Sequence, residues 1–462
     1  MSTPDQTTRR DFLKTGLATT GLALTAGLPG CVGSFDRRSS VLPTPRPILV
    51  PRREKLRVAF IATGGMGGAH IENVKDLGVV CPCYCDVDTE RMKLAAETYP
   101  DAKPYQDYRV MFDKEHKNFD AVMVGTPDHH HFPATLWAMQ LGKHVYTQKP
   151  LTHTPWEARE LTKAAARYNV ATQMGNQGHA SEGWRRTVEW VRDGAIGDVS
   201  ETHTWTDRPV WPQGILRPEE ANSVPANLDW DAWLGPAPER PYTQEAYHPF
   251  TWRGWWDFGA GALGDMACHN MDGVFWALEP GHPSVIEPIA ATHINHETFP
   301  NASVVKWEFP RRGWRKAFAA YWYDGGLKPR LPDHLELGRS LKGNGTLLIG
   351  TKASILASGS YGDSARIIPE AKMREIGKPP KMLERSPGHY EEWLMAARGE
   401  KPIDFPVSRF AYAGPMTETI LLGCIAQRVN RRLEWDGKKM EFTNFPEANQ
   451  YVSKAYRAGW KP

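Results

Sequence analysis

Short apolar runs alternate with segments of helical spacing from residue 55 to residue 175. The apolar run 56–62 has the length of a buried strand, and after a glycine cluster the apolar residues recur at helical spacing over 70–78. The same pattern continues, with predicted strands at 78–85, 119–124, 143–146 and 170–174 and predicted helices at 133–141 and 157–168. This alternation predicts a doubly wound (Rossmann) parallel sheet, which binds ligands at the carboxyl ends of its strands.

The glycine cluster has the spacing of a nucleotide-binding turn. It comprises Ala62, Thr63, Gly64, Gly65, Met66, Gly67 and Gly68. Aligned with G-x-G-x-x-G, Gly64 and Gly67 take the second and third glycine positions, while Ala62 replaces the first. Glycines let backbone N–H groups approach a pyrophosphate at a helix N-terminus, although many such clusters are only turns. Asp86 lies 22 positions after Gly64, where an acid binds the adenosine ribose. A carboxylate at this position favours NAD, while Arg91 keeps NADP open as an alternative.

Polar residues follow the other predicted strands of this half. Thr126 and Pro127 come after the third strand, Gln148 and Lys149 after the fourth, and Asn176 after the fifth. Because the carboxyl ends of parallel strands meet at one edge of a sheet, we expect these residues to lie beside the glycine turn and Asp86.

Together these motifs resemble the family of glucose–fructose oxidoreductase and inositol dehydrogenase (Gfo/Idh/MocA). The resemblance is carried by the glycine turn, Asp86, T-P-D-H-H-H (126–131), Q-K-P-L (148–151) and G-D-M-A-C-H-N-M-D (264–272), and it covers nearly all of 55–462. It implies an NAD(P)-binding Rossmann domain (55–175) and a substrate-binding α/β domain (176–462) with an open, mostly antiparallel sheet that often mediates homo-oligomers. Local patterns agree, with strands expected at 316–323 and 346–357, and helices at 388–398 and 415–432 expected to pack against the first domain.

The resemblance also implies catalytic roles for Lys149, Asp265 and His269. Residues four apart share a helix face, so we expect Asp265 to contact His269 and orient it as the base. Lys149 is expected to stabilise the alkoxide that forms as a hydroxyl loses its proton and a hydride. Taken singly, each residue also fits a structural role, Asp265 as a helix cap, His269 as a core histidine and Lys149 as a surface lysine.

The remaining predicted contacts surround these three residues. The cofactor set is Gly64, Gly65, Met66, Gly67, Asp86, Thr126, Pro127, His131, Gln148, Lys149 and Asn176. The substrate set is His179, Arg253, Trp256, Asp265 and His269. Gln148 replaces the glutamate of most relatives.

No metal site is predicted, because adjacent histidines at a strand end seldom converge on one ion and cysteines along one strand do not surround a metal tetrahedrally. Cys81, Cys83 and Cys85 alternate along the second predicted strand and are expected on one buried face.

The N-terminus predicts export. Residues 8–14, T-R-R-D-F-L-K, resemble a twin-arginine signal and precede a short apolar stretch at 16–28. We therefore expect a signal peptide at 1–30, a Pro/Arg-rich linker at 31–54, and a location in the periplasm or on the outer surface of the cytoplasmic membrane. Lipidation of Cys31 and plain secretion are alternative outcomes of processing.

The composition and the predicted export limit the range of functions to consider. Lys plus Arg (56) nearly balance Asp plus Glu (53), which argues against a nucleic-acid partner, and the 18 Trp offer stacking faces for a carbohydrate substrate. An exported enzyme has no exchangeable pool of nicotinamide, so we expect tightly retained NAD and oxidation of a sugar, polyol or glycoside hydroxyl. The alternatives are a redox-neutral NAD-dependent glycoside hydrolase or lyase and a non-catalytic relative. M-G-N-Q (174–177) replaces the E-N-x-C-Y stretch of the α-N-acetylgalactosaminidase branch and argues against that branch.

Overall fold

A computed structural model describes residues 55–362 and 364–462 of the chain. The predicted signal peptide, the linker and Cys31 lie outside the described residues. Among the helices of the described part, none is both long enough and apolar enough to cross a membrane.

The first sheet has seven strands, and every neighbouring pair in it is parallel. Its strands are Leu56–Ile61 (β1), Val79–Val80 (β2), Cys83–Cys85 (β3), Lys103–Tyr105 (β4), Ala121–Val124 (β5), His144–Gln148 (β6) and Thr172–Gly175 (β7). The helices between them are Met66–Val74 (α1), Lys93–Thr98 (α2), Tyr108–Glu115 (α3), Asp128–Gln140 (α4) and Pro155–Tyr168 (α5). The order β4-β3-β1-β5-β6-β7, with β2 beside β1, confirms the doubly wound sheet. The strand order reverses at β1, so a crevice opens at the carboxyl ends of β1, β3 and β5.

The second sheet has nine strands, in the order β14-β13-β12-β8-β11-β10-β9-β15-β16. They are Val199–Trp205 (β8), Val285–Ala291 (β9), Ser303–Phe309 (β10), Phe318–Tyr323 (β11), Gly345–Gly350 (β12), Ser354–Ser358 (β13), Arg366–Ile368 (β14), Leu433–Asp436 (β15) and Glu441–Phe442 (β16). All neighbours are antiparallel except β8 and β11, as expected for an open, mostly antiparallel sheet. Along β10 and β11 one face is buried and the other partly exposed, because apolar residues occupy alternate positions.

Seven more helices accompany this sheet in the described part. They are Glu182–Arg192 (α6), Trp230–Leu234 (α7), Gly261–Asn270 (α8), Asp272–Leu278 (α9), Glu370–Ile376 (α10), His389–Ala397 (α11) and Phe410–Val429 (α12). Helix α11 packs Tyr390, Trp393 and Leu394 into the core of the first sheet. Helix α12 lies along α5 and α8, and Thr419 on it accepts a hydrogen bond from Trp307 of β10. The two C-terminal helices thus join both sheets.

Two helices begin five residues earlier than predicted, each time at a proline. We expected α4 to start at Pro133 and α12 at Pro415, but both prolines lie inside their helices. A proline within a helix leaves the carbonyl four residues earlier without its usual donor. In α4 this carbonyl belongs to His129, and the Lys454 ammonium donates to it at 3.3 Å.

The expectation of three cysteines on one buried face is wrong. The predicted strand 78–85 is interrupted at Pro82, so it forms the two strands β2 and β3. The interruption changes the alternation of side chains. Cys81 packs in the core on one side of the sheet, whereas Cys83 and Cys85 pack in the core on the other side. All three are buried free thiols.

Candidate active site

The turn between β1 and α1 has the shape of a phosphate cradle. Ala62 adopts a positive φ of 67°, which shows that alanine tolerates the left-handed conformation at the first glycine position. A Cβ on Gly67 would lie 2.1 Å from the Ala62 carbonyl oxygen, so the close approach of α1 to β1 requires glycine there. Helix α1 begins after Gly65 with no side chain capping it. Its first N–H groups therefore suit an anionic ligand, as in a pyrophosphate site.

Asp86 stands at the end of β3 beside this turn. Its carboxylate accepts hydrogen bonds from the backbone N–H groups of Thr63 (2.8 Å), Gly64 (3.2 Å) and Asp88 (3.1 Å), while burial raises its pKa. A carboxylate can accept about four hydrogen bonds. The Thr63 and Gly64 groups all donate to Oδ2, whereas Oδ1 accepts from Asp88, so Oδ1 keeps an acceptor position that fits a ribose hydroxyl.

A cavity of about 270 Å³ runs from this turn along the strand ends. Ten residues of the predicted cofactor and substrate sets line it: Gly64, Gly65, Met66, Asp86, Thr126, Pro127, Gln148, Lys149, Arg253 and Asp265. The structure thus brings together the nucleotide-binding turn, the ends of β5 and β6, and the first turns of α8. Five predicted residues, His131, Asn176, His179, Trp256 and His269, lie outside the lining, and Gly67 packs beneath the turn.

Lys149 and Asp265 form an ion pair at this cavity. The Lys149 ammonium lies 2.7 Å from Asp265 Oδ1 and also donates to the Asp265 carbonyl oxygen at 2.9 Å. The Nε of Arg253 is 3.4 Å from the same Oδ1. Burial opposes ionisation of Asp265, but the charges of Lys149 and Arg253 outweigh it and lower its pKa. Asp265 is therefore ionised at neutral pH.

His269 lies one helical turn beyond Asp265, and the expected contact between them is replaced by the contacts to Lys149 and Arg253. Burial lowers the pKa of His269 to about 3, so its imidazole is neutral. A neutral ring attracts the Asp265 carboxylate less than the two cations do. The Nδ1 atom of His269 is buried and has no hydrogen-bond partner among the described residues. The ring is edge-on to Tyr361, with centroids 5.0 Å apart.

Sequence reasoning missed Asp128, a second acid in the cavity lining. Burial raises its pKa to about 8, and the nearby Asp265 carboxylate adds to the shift while Lys149 opposes it. Asp128 therefore holds a proton at neutral pH, whereas Asp265 does not. Its position in the first turn of α4, four residues after the end of β5, was the available signal, but the helix had been expected to begin five residues later.

His131 supports the lining from behind. Its Nδ1 is 2.7 Å from the Pro150 carbonyl oxygen and its Nε2 is 2.9 Å from that of Thr126. Burial lowers the pKa of His131 to about 4, so the neutral ring carries one N–H and donates to only one of these two carbonyl oxygens. His131 does not line the cavity, and its predicted contact with the cofactor stays a prediction.

Asn176 and His179 lie deeper, beside the ends of the C-terminal helices. The hydroxyl of Ser408 donates to Asn176 Oδ1. His179 Nδ1 is 2.8 Å from Asp272, which also accepts a hydrogen bond from the Tyr412 hydroxyl at 2.6 Å. Neither side chain lines the cavity, but Asn176 Nδ2 and His179 Nε2 are buried and have no hydrogen-bond partner among the described residues. Their predicted ligand contacts stay predictions.

A loop from the second domain covers the nucleotide end of the cavity, and no sequence motif predicted it. Asn227 Nδ2 and His248 Nε2 bind the carboxylate of Asp88, at 2.7 and 2.9 Å, and Leu228 forms a β-bridge with Asp88. We call residues 206–258 the covering loop. Four of its aromatic and proline residues line the cavity: Trp233, Pro249, Phe250 and Trp252. The nucleotide end is thus closed by contacts within one chain.

The fold and the glycine cradle define a protein of the NAD-binding oxidoreductase class, and comparison with known families agrees. Residues 56–176 match the NAD-binding Rossmann fold of the Gfo/Idh/MocA oxidoreductase family, and residues 198–308 match its C-terminal α/β domain. The chain belongs to the Gfo/Idh/MocA oxidoreductase family, and the predicted cofactor, NAD, is confirmed.

Curated relatives and solved structures extend the comparison. A Glycosyl hydrolase family 109 protein of Shewanella pealeana is 27% identical over 203 residues, and an Alpha-N-acetylgalactosaminidase of Shewanella oneidensis is 27% identical over 207. Each alignment covers 41% of this chain and 44% of the relative, so the match spans less than half of either protein. The WlbA dehydrogenase of Chromobacterium violaceum, solved with NADH and UDP-GlcNAcA, superposes with a TM-score of 0.60 at 18% identity over 84% of this chain and 99% of its own. That likeness shows the fold.

Proposed function

We propose that this protein oxidises a hydroxyl group of a sugar, polyol or glycoside with an NAD molecule that it retains between turnovers. The observation that carries the proposal is the ion pair of Lys149 and Asp265, 2.7 Å apart in the same cavity as the glycine cradle and Asp86. A hydroxyl bound at Lys149 lies at the strand ends, where the family's nucleotide site is found. The sugar-nucleotide named with the WlbA structure and the glycosidase names of the curated relatives support a carbohydrate substrate.

NAD, when bound, accepts a hydride from the substrate carbon or returns one. The chain supplies the proton chemistry. Lys149 uses two of its three N–H donors on Asp265 and has one left for the substrate oxygen, whose developing negative charge it stabilises. Asp265 is ionised and can take the proton through Lys149, while Arg253 holds the carboxylate in place. The role of His269 as the base stays a prediction, and the pKa of about 3 that burial gives its ring makes it a weak base at this position.

The covering loop supports retention of the nucleotide. A ligand held between the glycine turn and this loop leaves only when the contacts of Asp88 with Asn227 and His248 open.

Retention also agrees with the proposed export through the twin-arginine signal, followed by lipidation of Cys31 or plain secretion. Replacing Arg9 and Arg10 by lysine together should keep the protein in the cytoplasm, as measured by cell fractionation. The exposed face of the second sheet is the proposed homo-oligomer surface, which the mass in solution will test.

A redox-neutral glycoside hydrolase or lyase is the second candidate. Asp128 favours it, because a protonated acid in the cavity can protonate a leaving group once the sugar carbon beside it has become a carbonyl. In such a reaction the hydride removed from the sugar returns to the same molecule, so no second substrate is required. The relatives named as glycosyl hydrolases also favour it.

One set of assays separates these functions. Mass spectrometry of nucleotide released from denatured protein should find about one NAD(H) per chain if the cofactor is retained. Free sugars and p-nitrophenyl glycosides are then supplied without added cofactor. Reduction of the bound nucleotide by a free sugar supports the oxidoreductase, and release of p-nitrophenol supports the hydrolase. A purified protein that holds nucleotide but gives neither signal with a broad panel of both contradicts catalysis on carbohydrates.

A further inference from the structure

A second cavity of about 300 Å³ lies beside the first and shares no lining residue with it. The covering loop separates the two. Trp252 and Arg253 line the first cavity, whereas Trp256, Asp257 and the following Gly259 line the second. The other walls come from the start of α5, the end of α12 and the C-terminal residues 450–455. Trp256, which we had expected at the substrate, therefore faces a different site.

Arg428, near the end of α12, is the principal charge of this cavity. Its guanidinium carbon lies 4.3 Å from the centre of the Tyr451 ring and 5.0 Å from that of Trp256. The carboxylates of Asp257 and Glu297 lie nearby, but both are paired with the buried Arg240. Among the described residues no carboxylate forms an ion pair with Arg428. Arg428 also forms a hydrogen bond with the Tyr451 side chain, and Asp257 and Glu297 attract it without contacting it. The guanidinium N–H groups that Tyr451 does not use can bind an anion.

Lys454 lines this cavity, but its ammonium is bound by other groups of the chain. Its ammonium lies 3.1 Å from His153 Nδ1 and 3.3 Å from both the His129 carbonyl oxygen and the Glu157 carboxylate. His153 Nε2 is 3.0 Å from the Gly259 carbonyl oxygen, so the ring donates there and accepts from Lys454. All three ammonium donors are thus engaged within the chain, which leaves Arg428 as the group that can bind an anion.

We propose that the second cavity binds an acidic monosaccharide, a sugar ring that carries a carboxylate. The Arg428 guanidinium matches a carboxylate with two parallel hydrogen bonds. The faces of Trp256 and Tyr451 offer apolar surface to the C–H groups of a sugar ring. Gln450, Thr154 and Ser453 supply polar atoms for its hydroxyl groups. The volume suits one ring. This site is independent of the catalytic proposal, since it uses none of the residues of the first cavity.

The test measures binding of D-glucuronate and, as its uncharged counterpart, D-glucose to the full chain by titration calorimetry. Wild type should bind glucuronate at least about tenfold more tightly than glucose, and Arg428→Gln should weaken glucuronate binding by about tenfold or more, as expected for a charge-assisted hydrogen bond. Arg431→Gln is the matched control, because Arg431 is exposed, stacks on Phe445 and lies outside the cavity. Lys149→Met identifies the cavity and should leave glucuronate binding intact.

Three outcomes overturn the proposal: no binding of glucuronate to wild type, equal binding to wild type and Arg428→Gln, or binding lost in Lys149→Met and kept in Arg428→Gln. Thermal melts confirm that each variant is folded. If Arg428→Gln does not fold, Gln450→Trp replaces it, since the exposed Gln450 lines the cavity and a tryptophan there fills space. Unchanged glucuronate binding to a folded Gln450→Trp would then refute the site.

Discussion

The two cavities each contain a lysine paired with a carboxylate, yet only one of these lysines can act on a ligand. Lys149 gives two donors to Asp265 and keeps one, whereas Lys454 gives its three donors to His129, His153 and Glu157. A position at a cavity and an ion-pair partner are therefore not enough for the catalytic role proposed for Lys149. That role also needs an N–H donor that the protein leaves unused.

Charge balance separates the cavities in the same way. In the first, Lys149 and Arg253 both contact the Asp265 carboxylate, and a protonated Asp128 lies beside them. The charges of these side chains largely cancel, so a proton can move from one to another without leaving a large net charge. In the second, Arg428 forms no ion pair with a carboxylate of the described residues. The first arrangement suits a reaction in which charge develops and disappears, and the second suits stable binding of an anion.

The largest effect expected from this comparison is that of Lys149→Met, set against Lys454→Met. Removing the Lys149 ammonium deletes the donor to the substrate oxygen and should lower kcat by about 10²–10³-fold. Lys454→Met should leave kcat unchanged but lower the free energy of unfolding by about 1–3 kcal/mol, because the buried Glu157 carboxylate loses a donor. Stopped-flow reduction of the bound nucleotide and urea unfolding measure the two quantities. Equal losses of kcat in both variants would contradict the distinction.

Asp128→Asn should have the next largest effect, on the pH dependence of catalysis. If Asp128 donates a proton, activity of the wild type falls above about pH 8, where the carboxyl ionises. The asparagine variant should lose about 10²-fold in a reaction that needs the acid, and its residual activity should lack this alkaline limb. Asp113→Asn, on the helix α3 away from the cavity, is the control. An unaltered alkaline limb in Asp128→Asn would assign the limb to another group.

The same substitution tests the raised pKa through stability. Asp128 binds its proton more tightly in the folded chain than in the unfolded chain, where its pKa is about 4. Its contribution to stability is therefore fully present below about pH 4 and is lost as pH rises towards 8. Relative to wild type, Asp128→Asn should gain stability over this range, by at most about 6 kcal/mol. Urea unfolding of both proteins at pH 5 and pH 8 measures the change.

The first sheet and its ligand edge could be predicted because local signals carry them. The apolar runs, the glycine cluster and the polar residues after each strand depend on short stretches of sequence, and Gly64, Asp86, Thr126 and Lys149 meet in one cavity as the fold rule requires. The predicted helix starts at Pro133 and Pro415 were wrong, because proline is favoured in the first turn of a helix. No local signal shows that Lys454, 325 residues away, donates a hydrogen bond to the His129 carbonyl oxygen.

The remaining parts of the site depend on contacts between distant residues. The pairing of Asp265 with Lys149 rather than His269 brings together residues 116 apart, and helix geometry alone favours the neighbour four residues on. The covering loop contains only the short helix α7 and otherwise little regular structure. Its contact with Asp88 and the separation of Trp252 from Trp256 could therefore only be found in three dimensions. The protonation of Asp128 likewise depends on burial that tertiary packing creates.

His248→Ala should loosen the covering loop with a smaller effect. The variant loses a hydrogen bond to the Asp88 carboxylate, and such a bond to a charged group contributes about 1.5–3 kcal/mol. We expect bound nucleotide to dissociate about tenfold faster or more, while kcat with saturating NAD stays close to that of wild type. Nucleotide content after repeated gel filtration measures the loss. His296→Ala, at a histidine whose side chain is 84% exposed, is the control. Equal retention in both variants would contradict a clamping role for the loop.

The smallest effect is expected from a pair of tryptophans four residues apart on the covering loop. Trp252 lines the first cavity and stacks on the Arg253 guanidinium at 4.3 Å, whereas Trp256 lines the second. Trp252→Phe should raise the KM for the sugar about two- to fivefold by loosening Arg253, since cation–π contacts contribute about 0.5–1 kcal/mol. Trp256→Phe should leave this KM unchanged and weaken glucuronate binding by a similar factor. Steady-state kinetics and calorimetry on both variants therefore form a double test, and a rise in KM for Trp256→Phe would show that the two cavities act as one site.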